Sequence, residues 1–92
     1  MDDPPQELPI DGMLDLHTFL PRDLKTLIPD YLDLCRGKGI LEVRIVHGKG
    51  TGALRETVHA ILARLPGIKK YGLAPAGRGS WGATIVELTE NR

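Results

Sequence analysis

Cysteine appears once in the 92 residues, at Cys35, so neither an internal disulfide nor a cysteine-built zinc site can form. Aromatic residues are nearly as scarce, with Phe19, Tyr31, Tyr71 and Trp81 making up the set, so any core must be mostly aliphatic. No stretch approaches the roughly 20 apolar residues that a bilayer span requires. The start is acidic and proline-bearing and lacks the basic region of a secretion signal. Together these absences predict a cytoplasmic domain with no membrane partner. The length suits one domain with one modest core, and a monomer.

Net charge is also missing, since 12 Lys and Arg balance 12 Asp and Glu. The balance hides an uneven distribution. Asp2, Asp3, Glu7, Asp11 and Asp15 stand in the first 16 residues with no Lys or Arg, which leaves the rest with 12 basic against 7 acidic side chains. A mildly basic body behind an acidic leader can still offer a local patch to phosphates.

Three prolines, several acids and a glycine make residues 1–12 read as a tail or the end of a linker, with the folded domain over 13–92. In "MLDLH" (13–17) Leu14 and Leu16 alternate with Asp15 and His17, the pattern of a short, half-buried strand. Leu24, Leu27, Ile28, Tyr31, Leu32 and Cys35 then follow helical spacing, with Pro21 suited to the first turn and Pro29 expected to kink the helix. "ILEVRIV" (40–46) sets Leu41, Val43 and Ile45 on one face and Glu42, Arg44 and Val46 on the other. A second helical stripe comprises Leu54, Val58, Ile61, Leu62 and Leu65, with Thr51 as the expected N-cap. "IKKYGLA" and "ATIVEL" read as third and fourth strands. The order is βαβαββ, an α/β fold of two layers.

Helical crossovers predict that the first three strands run in one direction, with the fourth antiparallel. Ligands of open α/β sheets gather outside the carboxyl ends of the strands. That edge should collect His17, His47 and the loop carrying Arg78 and Trp81. Asp15 and His17, two apart on a strand, share a face with Arg44. A carboxylate, an imidazole and a guanidinium beside a helix start suit phosphodiester chemistry, in which Asp or His takes a proton and the cations stabilise the phosphorane charge.

"HGKGTGALR" (47–55) looks like a phosphate cradle, but its spacing fits neither standard nucleotide loop. Lys49 lies between Gly48 and Gly50, so there is no Walker A sequence. Gly48, Gly50 and Gly52 give G-x-G-x-G, not G-x-G-x-x-G. What survives is general: glycines permit close backbone approach, and amides at a helix start favour an anion, aided by Lys49 and Arg55. The same glycines also serve a tight turn without any ligand. His47 can act as a strand-end cap as well as a contact. Trp81 can stack on a base or lid the core. Cys35 lies on an apolar stripe and reads as packing, and His59 as a surface residue on a helix flank. Asp15 and His17 are too few ligands for a protein-held metal; Mg²⁺ carried by substrate phosphates is left open.

"LDLH" (14–17), "RIVHGKGTGALR" (44–55) and "GATIVEL" (82–88), in that order, resemble the Smr, or small MutS-related, domain, over about residues 13–89. The resemblance implies a four-stranded mixed sheet with both helices on one face, similar to the C-terminal domain of bacterial translation initiation factor three. It also implies DNA or RNA as partner, and nicking or endonuclease activity in DNA repair, recombination or RNA processing. Asp15 would be the position tied to cleavage, and His47, Gly48, Lys49 and Gly50 those tied to nucleic-acid contact. Where the family usually has Gly after its LDxH motif this chain has Thr18, then Phe19, which bears on access to Asp15 and His17.

Two functions are thus expected to compete. In one, Asp15 and His17 are catalytic and Arg44, His47, Gly48, Lys49, Gly50, Thr51, Gly52, Arg55, Arg78 and Trp81 bind the polynucleotide. In the other, the same edge grips phosphates as a non-catalytic module of a larger assembly and cuts nothing.

Overall fold

A computed structural model describes residues 9–50, 52–77 and 82–90. Six elements follow the anticipated order: β1 (Met13–Asp15), α1 (Leu24–Gly37), β2 (Glu42–Val46), α2 (Ala53–Arg64), β3 (Ile68–Leu73) and β4 (Ala83–Leu88).

β1 alternates as its sequence requires, with Leu14 buried between exposed Met13 and Asp15. It ends two residues sooner than the alternation predicts. The amide of Leu16 still donates to Val46 O at 3.0 Å. The Asp15 carboxylate, however, accepts the His17 amide at 3.0 Å, a side-chain turn that draws the backbone out of the ladder.

Pro21 opens a single 3-10 turn, Pro21–Asp23, rather than the α-helix, which starts at Leu24. α1 then passes through Pro29 as one element. Its end is a two-bond reversal: Gly39, at φ +80, donates to Arg36 O at 3.0 Å and Ile40 to Cys35 O at 2.9 Å. Glycine suits this because the reversal needs a left-handed residue. α2 is preceded by Gly52 at φ +91, so the N-cap position expected at Thr51 falls to Gly52; Thr51 itself lies outside the described residues.

The sheet order is β1-β2-β4-β3. β1 and β2 are parallel, and β4 runs antiparallel to both β2 and β3, which gives the first three strands a common direction, as expected. β4 is the strand with least exposure, as its inserted position demands. β3, an edge, carries exposed Lys69 and Lys70, which discourage pairing with another chain.

Leu14, Leu16, Val43, Ile45, Val86 and Leu88 from one sheet face form a single core with Leu24, Ile28, Tyr31, Leu32 and Cys35 of α1 and Val58 and Leu62 of α2. Both helices therefore cover one face, and Met13, Asp15, Arg44, Ile85 and Glu87 lie on the other. Packed structure begins ahead of the boundary expected at Met13. Ile10 lies against the core, and Tyr31 Oη accepts the Gly12 amide at 3.2 Å while facing Met13 O at 3.1 Å. Burial pushes the Cys35 thiol up from its ordinary value, consistent with packing and not with nucleophilic chemistry. No helix among the described residues is long and apolar enough to cross a membrane.

Candidate nucleic-acid interface

The carboxyl ends of β1 and β2 and the start of β4 meet at one edge. Register places Asp15 opposite Val46 and Met13 opposite Arg44, so Asp15 stands one row from Arg44 on the open face. Arg44 Nη2 lies 2.8 Å from Met13 Sδ. The chain leaving β2 is pinned to β4 by two amides, His47 and Gly48, that both donate to Gly82 O at 3.0 and 2.8 Å. Gly48 adopts φ +82, turning the chain toward α2.

Two glycines make room for the cationic side chains. A Cβ on Gly82 would come within 3.3 Å of Lys49 Cγ, so the lysine stem lies across the bare glycine. A Cβ on Gly52 would come within 2.6 Å of Arg55 Nη2, so the guanidinium folds back over the residue that precedes α2. That end of a helix is already the positive one, and a cation held there stands against the helix polarity.

Asp15 and His17 form a pair. His17 Nδ1 lies 2.9 Å from Asp15 Oδ1, and both side chains are exposed. A carboxylate only accepts, so Nδ1 carries the hydrogen of this bond and Nε2 is left outside the pair. The His17 hydrogen bonds hold the Asp15 carboxyl below its ordinary value of 3.8.

His47 behaves differently from the other residues of its motif. Its ring turns into the layer between sheet and α2 and is only 7% exposed. Nδ1 lies 3.1 Å from Gly48 O and Nε2 2.8 Å from Thr84 Oγ1. With both nitrogens engaged, His47 shapes the loop from beneath, whereas Lys49 and Gly50 face solvent. Thr84 Oγ1 also meets His59 Nε2 at 2.8 Å, and the His59 ring packs edge-on against Tyr71 with centroids 5.1 Å apart. His59 is thus a half-buried partner of the sheet and not the surface residue its helical position suggests. One signal was available: in β4 the inward row reads Thr84, Val86, Leu88, and a buried hydroxyl needs a partner.

Arg78 and Trp81, expected at this edge, lie outside the described residues, as does Thr51. Among the described residues no three His, Cys, Asp or Glu converge to hold a metal ion.

The chain matches the Smr domain family over residues 14–89. It belongs to that family. The Smr domain is similar to Endonuclease MutS2 of Clostridium botulinum strain 657, with 38% identity over 79 residues, or 86% of this chain and 10% of that protein. Endonuclease MutS2 of Carboxydothermus hydrogenoformans is 40% identical over 75 residues, 82% of this chain and 10% of the relative. The chain therefore spans about a tenth of the length of these relatives. Among solved structures, the Smr domain of Thermus thermophilus MutS2 superposes with a TM-score of 0.78 at 32% identity, covering 85% of this chain and 98% of that one. YdaL, a stand-alone small MutS-related protein from Escherichia coli, shares the fold with a TM-score of 0.78 at 22% identity, covering 86% of this chain and 65% of its own.

Proposed function

We propose that this Smr domain binds DNA or RNA by its phosphates along the edge where β1, β2 and the start of β4 meet, and hydrolyses a phosphodiester there. The carrying observation is the Asp15–His17 pair, 2.9 Å apart and open to solvent, set one strand from the glycine loop. Asp15 orients the imidazole and stabilises it once charged. His17 Nε2 takes the proton of an attacking water as its oxygen bonds to phosphorus; the departing oxygen leaves with the electron pair of the broken P–O bond and takes a proton from solvent, to which His17 releases its own. Lys49 and Arg55 offset the charge on the phosphorane. Support also comes from the glycines that let both cations lie close to the loop, and from relatives named as endonucleases.

The openness of the pair also favours a second reading, in which the same edge binds and nothing is cut. Supercoiled plasmid and a structured RNA hairpin, incubated with the wild type and with Asp15→Ala, decide between them. Cleavage that Asp15→Ala abolishes supports hydrolysis by the pair. Binding without cleavage in the wild type assigns the domain to the binding class, and cleavage equal in both proteins removes Asp15 from the chemistry.

A further inference from the structure

The buried polar chain beneath the glycine loop has a direction fixed by which atoms can donate and which can only accept. Gly48 O can only accept, so His47 Nδ1 carries a hydrogen, and a ring with its single hydrogen there leaves Nε2 as an acceptor. Thr84 Oγ1 must then donate its one proton to His47 Nε2 at 2.8 Å. With that proton committed, Thr84 Oγ1 accepts from His59 Nε2 at 2.8 Å, so His59 carries its hydrogen on Nε2. The chain reads His59 to Thr84 to His47 to Gly48 O, from the middle of α2 through β4 to the loop.

We propose that His59 and Thr84 are positioning residues that lock His47 in its Nδ1–H tautomer and so hold the Gly48 carbonyl and the Gly48–Gly50 backbone in the shape that meets phosphate. The role toward phosphate rests on the binding reading above; the tautomer lock does not. A flipped His47 would bring an unprotonated nitrogen against Gly48 O, two acceptors facing each other, and the loop would have to move. Three groups bear on His59 from the elements around it. Arg55 lies on the same helix, Tyr71 packs on the His59 ring from β3, and His47 faces it from the end of β2, its ring centroid 6.3 Å away. Burial, His47 and Arg55 all disfavour a charge on His59, which keeps the donor end of the chain neutral near pH 7.

Nitrogen-resolved NMR of the imidazoles tests the lock with no ligand present. The wild type is expected to show His47 as Nδ1–H and His59 as Nε2–H; the opposite assignment on either ring overturns the proposal. Thr84→Val removes the hydroxyl at nearly constant shape, and should release His47 into tautomer exchange and shift the Gly48–Gly50 amides, while Thr84→Ser keeps the wild-type signals. If Thr84→Val leaves both unmoved, the lock is refuted. Should Thr84→Val not fold, the half-buried helical position serves: His59→Leu is expected to disturb the same signals and His59→Gln, whose amide can still donate, to restore them. Binding of a labelled DNA duplex and RNA hairpin is then measured. The lock-breaking variants should bind about fivefold to tenfold more weakly, the worth of about one hydrogen bond. Unchanged affinity with a shifted loop overturns the positioning role, whereas a wild type that binds neither probe refutes the binding reading and leaves the tautomer result to stand.

Discussion

Gly52 and Gly82 both lie under cationic side chains, yet a methyl group at each has different consequences. Gly52 holds φ +91 and a Cβ there would press on the Arg55 guanidinium, so Gly52→Ala should cost roughly 1–2 kcal/mol and displace the arginine. At Gly82 the nearest atom is Lys49 Cγ at 3.3 Å, on a flexible stem, so Gly82→Ala should cost well under about 1 kcal/mol. Chemical denaturation of the two variants checks the order, and equal losses would contradict it. His59 and Asp15 set separate pH windows. His59 has its folded value lowered below 6.5, so the unfolded chain takes up its proton first and stability is lost as pH falls below 6.5. Asp15, lowered below 3.8, contributes stability above 3.8 that disappears as pH falls through its folded value. The Tm of the wild type should therefore fall between about pH 7 and about pH 5, and His59→Gln should flatten that stretch. A slope unchanged in His59→Gln would remove His59 from the account. At this scale the motif residues were legible in sequence, but the direction of His47 was not. Whether a strand-end histidine faces solvent or core depends on Thr84 and His59, 37 and 12 positions away.

The helical stripes and strand alternations carried the elements, because burial on one face imposes the 3.6 and 2.0 periods directly. Their ends were less legible. Pro21 forms a 3-10 turn instead of the first α turn, and the Asp15 side chain closes β1 early; both are local competitions that periodicity does not register. The clamp made by Arg36 was also invisible. Its guanidinium joins α1 to the start of β3 and the end of β4, donating to Gly67 O at 2.9 Å, Thr89 O at 3.0 Å and Asp33 at 2.8 Å, with the side chain 13% exposed. Arg36→Ala should lower stability by about 1.5–3 kcal/mol, as hydrogen bonds from a charged group are worth. Lys70→Ala, whose pair with Glu87 spans 3.6 Å at the surface, should cost at most about 0.5 kcal/mol. In the core of α2, Leu62→Ala should cost about 2–4 kcal/mol through lost burial and the cavity left behind. Urea melts of the three variants rank these effects, and an Arg36→Ala loss no larger than that of Lys70→Ala would show that the clamp contributes nothing.

Across the whole molecule, the order β1-β2-β4-β3 sends α2 from a central strand to the far edge and returns β4 between them. "ATIVEL" was legible as a strand, but its place between β2 and β3 arises from long-range pairing that no local period encodes. The consequence is the shape of one edge. Inserting β4 brings Gly82 to the ends of β1 and β2, pins the glycine loop, and gathers Asp15, His17, Lys49 and Arg55 along one edge of a chain without net charge. Local cations, not overall charge, should then govern polynucleotide binding. Replacing both Lys49 and Arg55 by Ala should weaken affinity for every sequence alike and reduce the slope of log K against log salt by about 1 for each phosphate that is no longer neutralised. An unchanged slope would place the phosphates elsewhere. The most direct test of the account measures affinity and cleavage together, on one DNA or RNA substrate, for the wild type and Asp15→Asn. The pair at the edge predicts affinity within about twofold and a cleavage rate lowered by about a hundredfold or more, the scale of acid–base catalysis. Cleavage at the wild-type rate by Asp15→Asn would contradict it.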